Sequence, residues 1–264
     1  MATKAAIVTG ATRGIGRATA VALARRGYDV AVTGRTRKEG DADLPGSLAS
    51  VAAAIEAEGR RAVPVVLDLL DVDRLAPAAE EAIAALGHVD VVLNNAIYVG
   101  GSSLSLFVDT PRAEIEKRMF GNLTAQLLFA QPLVRHMVAR GEGVVAFTSS
   151  AAGYMPVRKP PGEGGWALTY GVSKAGVERI PTQLIAEHPR LRSYNLQPGR
   201  VATERVQAAA DGELAFVARG AAPVDVVGET MARILDAPPG TFPNAGTIEV
   251  QDVARIWGLL PAPP

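Results

Sequence analysis

Apolar residues along this chain fall into two rhythms that take turns. Short, nearly continuous runs occur at 4–9 (KAAIVT), 29–33 (DVAVT), 62–67 (AVPVVL), 89–94 (VDVVLN), 143–149 (GVVAFTS), 191–197 (LRSYNLQ) and 246–251 (GTIEVQ). Runs of this kind predict strands covered on both faces. Between them the apolar positions recur at helical spacing: from the first glycines to about Arg26, then over 47–58, 72–86, about 111–140, 171–187 and 224–236. Gly27 should stop the first helix. Ser47 reads as the N-cap and Gly59 as the C′ residue of the second. Thr110 and Pro111 read as N-cap and N1 of the long helix, which Gly121 and Pro132 would bend. Pro64 cannot donate to a ladder, so the third strand belongs at a sheet edge.

Strands alternating with helices predict parallel pairing through right-handed crossovers. The expected fold is therefore α/β: a doubly wound (Rossmann-type), mostly parallel sheet of about seven strands with helices on both faces. No composition shift or internal repeat marks a second unit, so residues 1–264 are expected to form a single domain. Ligands of such sheets bind beyond the carboxyl ends of the strands, which directs attention to the residues ending strands one, two, four, five and six.

Composition removes several kinds of chemistry. Charged residues make up 20% of the chain and the formal net charge is +0, which argues against a nucleic-acid or anionic-membrane surface spread over the molecule. Cysteine is absent, excluding disulfides, thiolate metal sites and a Cys nucleophile. The three histidines (His88, His136, His188) are isolated from one another, so neither a metal cluster nor a Ser-His-Asp triad is expected. The start MATKAAIVTG lacks the apolar core of a signal peptide, and no apolar run approaches a membrane span, so a cytoplasmic location is expected.

After the first strand comes TGATRGIG, with Gly10, Gly14 and Gly16 spaced G-x3-G-x-G. Glycines let backbone approach a pyrophosphate closely, and the helix starting near Gly14 offers free N–H groups and the positive end of its dipole. The alternative is a glycine-rich turn without a ligand. At the end of strand two, where an acidic residue would hold the ribose hydroxyl of NAD, the chain reads VTGRTRK, with no carboxylate before Glu39. Arg35, with Arg13 from the glycine loop, predicts NADP(H) over NAD(H), since guanidinium forks match phosphate oxygens. Asp68, ending strand three, is placed either to accept from an adenine amino group or to cap the following helix. Asn94 and Asn95, ending strand four, suit a tight turn that bonds to neighbouring strands.

Tyr170 and Lys174 are spaced i, i+4 and share a helix face. A lysine cation and a bound nicotinamide's charge would favour phenolate, and a phenol so tuned can exchange a proton with an alcohol near neutral pH. Ser150, ending strand five, offers a hydroxyl to a substrate oxygen. Asn122, mid-helix, would hold a water near the lysine. Y-x-x-x-K alone says little; the ordered set at one sheet edge carries the weight.

TGATRGIG, NNA, SSAAG, YGVSK and QPGRVAT together resemble the motifs of short-chain dehydrogenases/reductases, in order and over nearly the whole chain. The resemblance implies Tyr170 as acid/base and Lys174 as a nicotinamide-ribose ligand. It implies Ser150, rather than Ser149, as substrate-positioning residue and Asn122 as support for a proton relay. It implies cofactor contacts at Gly10, Thr12, Arg13, Gly14, Ile15, Gly16, Arg35, Asp68, Leu69, Asn95, Ala96, Tyr170, Lys174, Pro198, Gly199, Val201 and Thr203. It also implies a homodimer or homotetramer and a small-molecule carbonyl or alcohol substrate. The long loop after strand two, with its LPG, is similar to that of hydroxysteroid dehydrogenase-like proteins. Two departures stand out. Ile97 replaces the glycine of the family's NNAG, so its backbone must avoid positive φ. Ser150 and Tyr170 are 20 positions apart, wider than the family pattern. The Pro- and Gly-rich insert resists regular structure, and Tyr154, Met155 and Trp166 within it are candidate substrate contacts. Substrate loops are expected at 154–169 and 200–222. The competing readings are a catalytically silent NADP(H)-binding regulator and an epimerase or dehydratase relative.

Overall fold

The computed structural model describes residues 3–100, 105–209, 211–212 and 214–262. Strands and helices alternate: β1 (Lys4–Val8), α1 (Gly14–Arg25), β2 (Tyr28–Gly34), α2 (Leu48–Ala57), β3 (Ala62–Val66), α3 (Val72–Leu86), β4 (Val91–Asn94), α4 (Arg112–Met119), α5 (Ala125–Arg140), β5 (Val144–Thr148), α6 (Leu168–Glu187) and β6 (Arg192–Gln197). There follow β7 (Val201–Ala202), α7 (Glu204–Ala208), α8 (Ala215–Ala218), β8 (Ala222–Pro223), α9 (Val224–Asp236), β9 (Thr247–Glu249) and α10 (Val250–Ile256). Seven strands form one parallel sheet in the order β3-β2-β1-β4-β5-β6-β9. β7 and β8 make a separate two-stranded piece.

Alternation along each strand splits the apolar residues between two cores. Ala6, Val8, Val30, Val32, Leu93 and Leu196 face α1, α2 and α9. Ala5, Ile7, Ala31, Val65, Val92, Val145 and Phe147 face α3, α5 and α6. Burial on both faces is why these strands read as unbroken apolar runs. β3 lies at the edge, as Pro64 requires, and pairs only with β2.

Most punctuation read from the sequence holds. Ser47 caps α2, its hydroxyl accepting from the Ser50 amide at 3.1 Å. Gly27 and Gly59 take φ of +87° and +73° just beyond α1 and α2. Thr110 differs: Phe107–Asp109 form a 3₁₀ turn that brings its hydroxyl back to the Leu106 carbonyl at 2.9 Å, and Pro111 takes the N-cap place without a side-chain bond. The expected long helix is two helices joined by a π-helical turn, Phe120–Thr124, which contains both Gly121 and Asn122. A π-turn is a common distortion at functional sites. Pro132 is accommodated within α5 without ending it. α6 starts three residues earlier than the pattern predicts, so Tyr170 sits in its first turn. Ile97 has no positive φ; among the described residues Ala245 is the single non-glycine residue with one.

Candidate active site

The carboxyl edge of the sheet gathers the predicted residues. Gly10 and Gly14 have φ of +64° and +58°. A Cβ at Gly16 would lie 2.4 Å from the Gly10 carbonyl oxygen and 2.6 Å from Asn95 Nδ2, so only glycine fits. Asn95 is the clasp of this cradle. Its amide nitrogen donates to the Thr9 carbonyl at 2.9 Å, and its Oδ1 accepts from Thr148 on β5 at 3.2 Å. Thr9 Oγ1 in turn accepts from the Asn95 and Ala96 amides, both at 2.9 Å. Strands β1, β4 and β5 are thereby tied at the point where the chain turns toward α1.

The start of α1 suits an anion. Arg13 at its N-cap makes no capping bond, and its first turn holds no acidic residue. The Gly14 amide donates instead to a carboxylate from outside, Glu204 Oε2, at 2.9 Å. That carboxylate stands in for the kind of group this end selects, so the cradle fits a dinucleotide pyrophosphate. Thr12 and Ile15 pack beneath the loop, with Thr12 7% exposed and Ile15 against the core. Thr203, which caps α7, presses its methyl group on Gly14. Gln251 clamps the turn after β6, its Nε2 donating to the Pro198 and Arg200 carbonyls at 2.9 and 2.8 Å. Gly199 there has φ +73°, and Val201 is fixed by pairing with Ala222.

At the end of β2 the two predicted arginines part company. Arg13 is spent on the loop: it donates to the carbonyls of Pro45, Leu44 and Gly46, each at 2.9 Å, and so staples the LPG segment. Arg35 remains 70% exposed, 3.7 Å from Asp68. Asp68 does not cap α3. Its Oδ1 accepts from the Leu70 amide at 3.0 Å, closing a turn around Leu69, because α3 begins only at Val72. Glu39 is turned away, bonded to the Gly46 amide and the Ser47 hydroxyl.

At the reactive end, Ser150 and Tyr170 meet. Burial pushes the Tyr170 phenol up, while a hydrogen bond with Ser150 and the positive charge of Arg118 act to lower it. Lys174 is 1% exposed and donates from Nζ to the Thr148 carbonyl at 2.7 Å, leaving it 6.0 Å from the Tyr170 ring. Burial holds its pKa down at about 8, against the pull of Glu178. One donor of the Lys174 ammonium thus goes to a β5 carbonyl, and the phenol stands above its usual range because burial outweighs the opposing groups. Ser149 is bonded to Glu178, which leaves Ser150 as the serine facing the tyrosine. Asn122 uses its side chain on protein: Oδ1 accepts from the Tyr98 amide at 2.8 Å and Nδ2 donates to Ser173 at 3.3 Å. Ser173 donates to the Tyr170 carbonyl at 2.8 Å, so Asn122 positions the tyrosine's helix turn.

The insert forms a wall of this site. Trp166 lies with its ring centroid 5.3 Å from Tyr170 and 5.2 Å from Phe216 of α8, edge-on to the latter. Tyr154 instead bonds Glu249 at the end of β9. Met155 and Trp166 also line an apolar cavity of about 820 Å³ between the insert and α6. Residues 210 and 213 of the expected 200–222 loop lie outside the described residues. Sequence reading missed Arg118, Glu178, Glu204 and Gln251. Two had a usable signal: Glu178 continues the Tyr170–Lys174 face by one turn, and Arg118 precedes Asn122 by one turn.

Among the described residues no His, Asp and Glu cluster could hold a metal, and no helix is long and apolar enough to cross a membrane. Residues 4–214 match the family model described as short chain dehydrogenase. An uncharacterized oxidoreductase of Mycobacterium tuberculosis is 33% identical over 98% of this chain and 95% of its own. Hydroxysteroid dehydrogenase-like protein 2 of Xenopus tropicalis is 36% identical over 42% of this chain and 26% of its own. Carveol dehydrogenase from Mycobacterium avium, solved in complex with NAD, superposes with a TM-score of 0.78 at 22% identity, covering 95% of this chain and 96% of that one, a likeness of fold. With its parallel sheet, glycine cradle and matching family model, this chain belongs to the short-chain dehydrogenase/reductase family, oxidoreductases that bind a nicotinamide cofactor.

Proposed function

We propose that this protein is an NADP(H)-dependent carbonyl reductase or alcohol dehydrogenase with Tyr170 as its acid/base. The observation that carries the reading is the meeting of the Tyr170 phenol and the Ser150 hydroxyl at the sheet edge that also bears the glycine cradle. Gly10, Gly14, Gly16, Asn95 and Ala96 would hold the dinucleotide, with Pro198, Gly199, Val201 and Thr203 bordering its reactive ring and Lys174 the adjoining ribose. A bound nicotinamide would supply the hydride on reduction and accept it on oxidation. The remaining chemistry falls to the chain: Ser150 holds the substrate oxygen, and Tyr170 donates its proton to that oxygen on reduction or removes it on oxidation.

Preference for NADP(H) is supported by the exposed cations Arg35, Arg37 and Lys38 after β2 and by Glu39 being tied to the loop. The Arg35–Asp68 pair is long and exposed, and a phosphate would outcompete it. Trp166 and Phe216 give the mouth an aromatic wall, which favours a partly hydrophobic carbonyl or alcohol. We read 154–169 and 200–222 as the substrate loops of one domain. Exposed Leu127 and Val138 on α5 and Leu168 and Val172 on α6 support assembly into a homodimer or homotetramer.

The test is consumption of NADPH and NADH against a panel of ketones and aldehydes, with wild type and Tyr170→Phe. We expect turnover with NADPH, lowered by about 10²-fold or more in Tyr170→Phe with NADPH affinity kept. Full activity of Tyr170→Phe overturns the acid/base role; a clear NADH preference overturns the cofactor assignment.

A further inference from the structure

The cradle at the start of α1 is closed by a carboxylate from the far end of the chain. Glu204, the first residue of α7, accepts from the Gly14 amide through Oε2 at 2.9 Å, across 190 positions of sequence. Among the described residues this carboxylate forms no ion pair and no other side-chain hydrogen bond. Arg13, one position before Gly14, is held by the Pro45, Leu44 and Gly46 carbonyls and leaves Glu204 unneutralised. The backbone that carries Glu204 is anchored independently. The Thr203 hydroxyl caps α7 by accepting from the Val206 amide at 3.3 Å, the Thr203 amide donates to the Val201 carbonyl at 2.9 Å, and Val201 pairs with Ala222. A helix start needs acceptors for its free amides, and a neighbouring Ser, Thr, Asp or Asn ordinarily supplies one. Arg13 has no such group to offer. A full negative charge is brought instead to the place where a dinucleotide's diphosphate would lie.

We propose that Glu204 is an internal competitor for the diphosphate of the cofactor: its carboxylate latches the empty cradle and must give up the Gly14 amide before a dinucleotide can take that position. The inference rests on the cradle being the cofactor site. Its physical content is exclusion. The Gly14 amide has one proton to donate, and two anions so close together repel, so carboxylate and diphosphate do not share it. Affinity for the nucleotide is then reduced by the fraction of molecules in which the latch is open. Glu204 is half-buried at the start of a five-residue helix, so the released carboxylate has solvent to turn into while Thr203 keeps its bonds. The use of such a contact to an enzyme that exchanges its nucleotide at every turnover is release, since a carboxylate ready to retake the amide favours the empty state.

The proposal predicts that removing a hydrogen-bonded charge strengthens binding. Glu204→Gln keeps the size of the side chain and an acceptor oxygen, but its bond to the amide is neutral and about half as strong as a charge-assisted one. The Kd of NADPH and of NADH is measured by titration calorimetry for wild type and variant. Both nucleotides carry the same diphosphate, so both should bind about tenfold tighter to Glu204→Gln, which corresponds to a latch closed in about nine-tenths of the wild-type molecules. The ratio of the two Kd values should not change. Hydrogen exchange is followed alongside: without nucleotide, residues 14–17 and 204–208 should exchange faster in the variant than in wild type, and the difference should vanish when both are saturated with NADPH. Equal or weaker binding of both nucleotides by the variant overturns the proposal. So does a gain confined to one nucleotide, which would place the effect at the ribose end, and so does identical exchange in the nucleotide-free proteins. A wild-type preference for NADH overturns the NADP(H) assignment alone, because the variant is compared with wild type within each nucleotide. Binding of neither nucleotide to either protein overturns the cofactor reading, and the latch with it.

Discussion

Lys174→Met is expected to change how stability depends on pH, by an amount the structure sets. Lys174 is 1% exposed, and burial lowers its pKa from 10.5 to about 8. At about 1.4 kcal/mol per unit, carrying that charge in the folded state costs about 3 kcal/mol at neutral pH. The sign follows from proton counts. Below pH 8 both folded and unfolded lysine are protonated, and the full cost is present. Between pH 8 and 10.5 the folded protein has released a proton that the unfolded chain still holds, so wild-type stability rises with pH relative to Lys174→Met, which has nothing to titrate. The bond to Thr148 O, 2.7 Å long, is lost in the variant, but that loss enters chiefly as a constant offset. Urea unfolding of both proteins from pH 7 to 10, followed by tryptophan fluorescence, gives the difference at each pH. Wild type should gain about 2–3 kcal/mol on the variant over that range. A difference that stays flat would refute the reasoning, because it would mean that Lys174 carries no burial cost.

Other outcomes follow from the same geometry. Gly16→Ala should lower stability by about 1–3 kcal/mol and weaken NADPH binding, since its Cβ would press on the Gly10 carbonyl and Asn95; an unchanged Tm and fluorescence titration would contradict the cradle. Arg35→Asp should raise the KM for NADPH about tenfold and leave that for NADH the same or lower, as read by initial rates. Trp166→Ala, which removes the wall between Tyr170 and Phe216, should redistribute kcat/KM across a ketone panel without altering NADPH affinity; equal kcat/KM for every ketone would make the insert a neutral surface addition.

The succession of strands and helices was legible because each apolar run carries its own period, and because burial on both sheet faces leaves no polar alternation to confuse it. Pro64 placed its strand at an edge, and Ser47 and Gly59 bounded a helix, through rules that act within a few residues. Boundaries were misread where a neighbouring turn competes: the 3₁₀ turn before α4 redirects Thr110, and the π-turn at Phe120–Thr124 breaks a stretch whose apolar period runs straight through. Motif order likewise sufficed to nominate Ser150, Tyr170 and Lys174, residue types that proton exchange with an alcohol requires. What each side chain does there was a tertiary matter. Arg13 and Arg35 look equivalent in sequence, yet only the folded LPG loop offers Arg13 three carbonyls, leaving Arg35 the exposed cation. Lys174 shares the helix face of Tyr170 as its spacing predicts, and only the fold adds the carbonyl acceptor at the end of β5. Glu204 carries no motif at all, and Arg118 only its one-turn spacing from Asn122. They matter because α4 is laid against α6 and because the segment after β6 returns to the start of α1, contacts between residues far apart in the chain that no local pattern encodes.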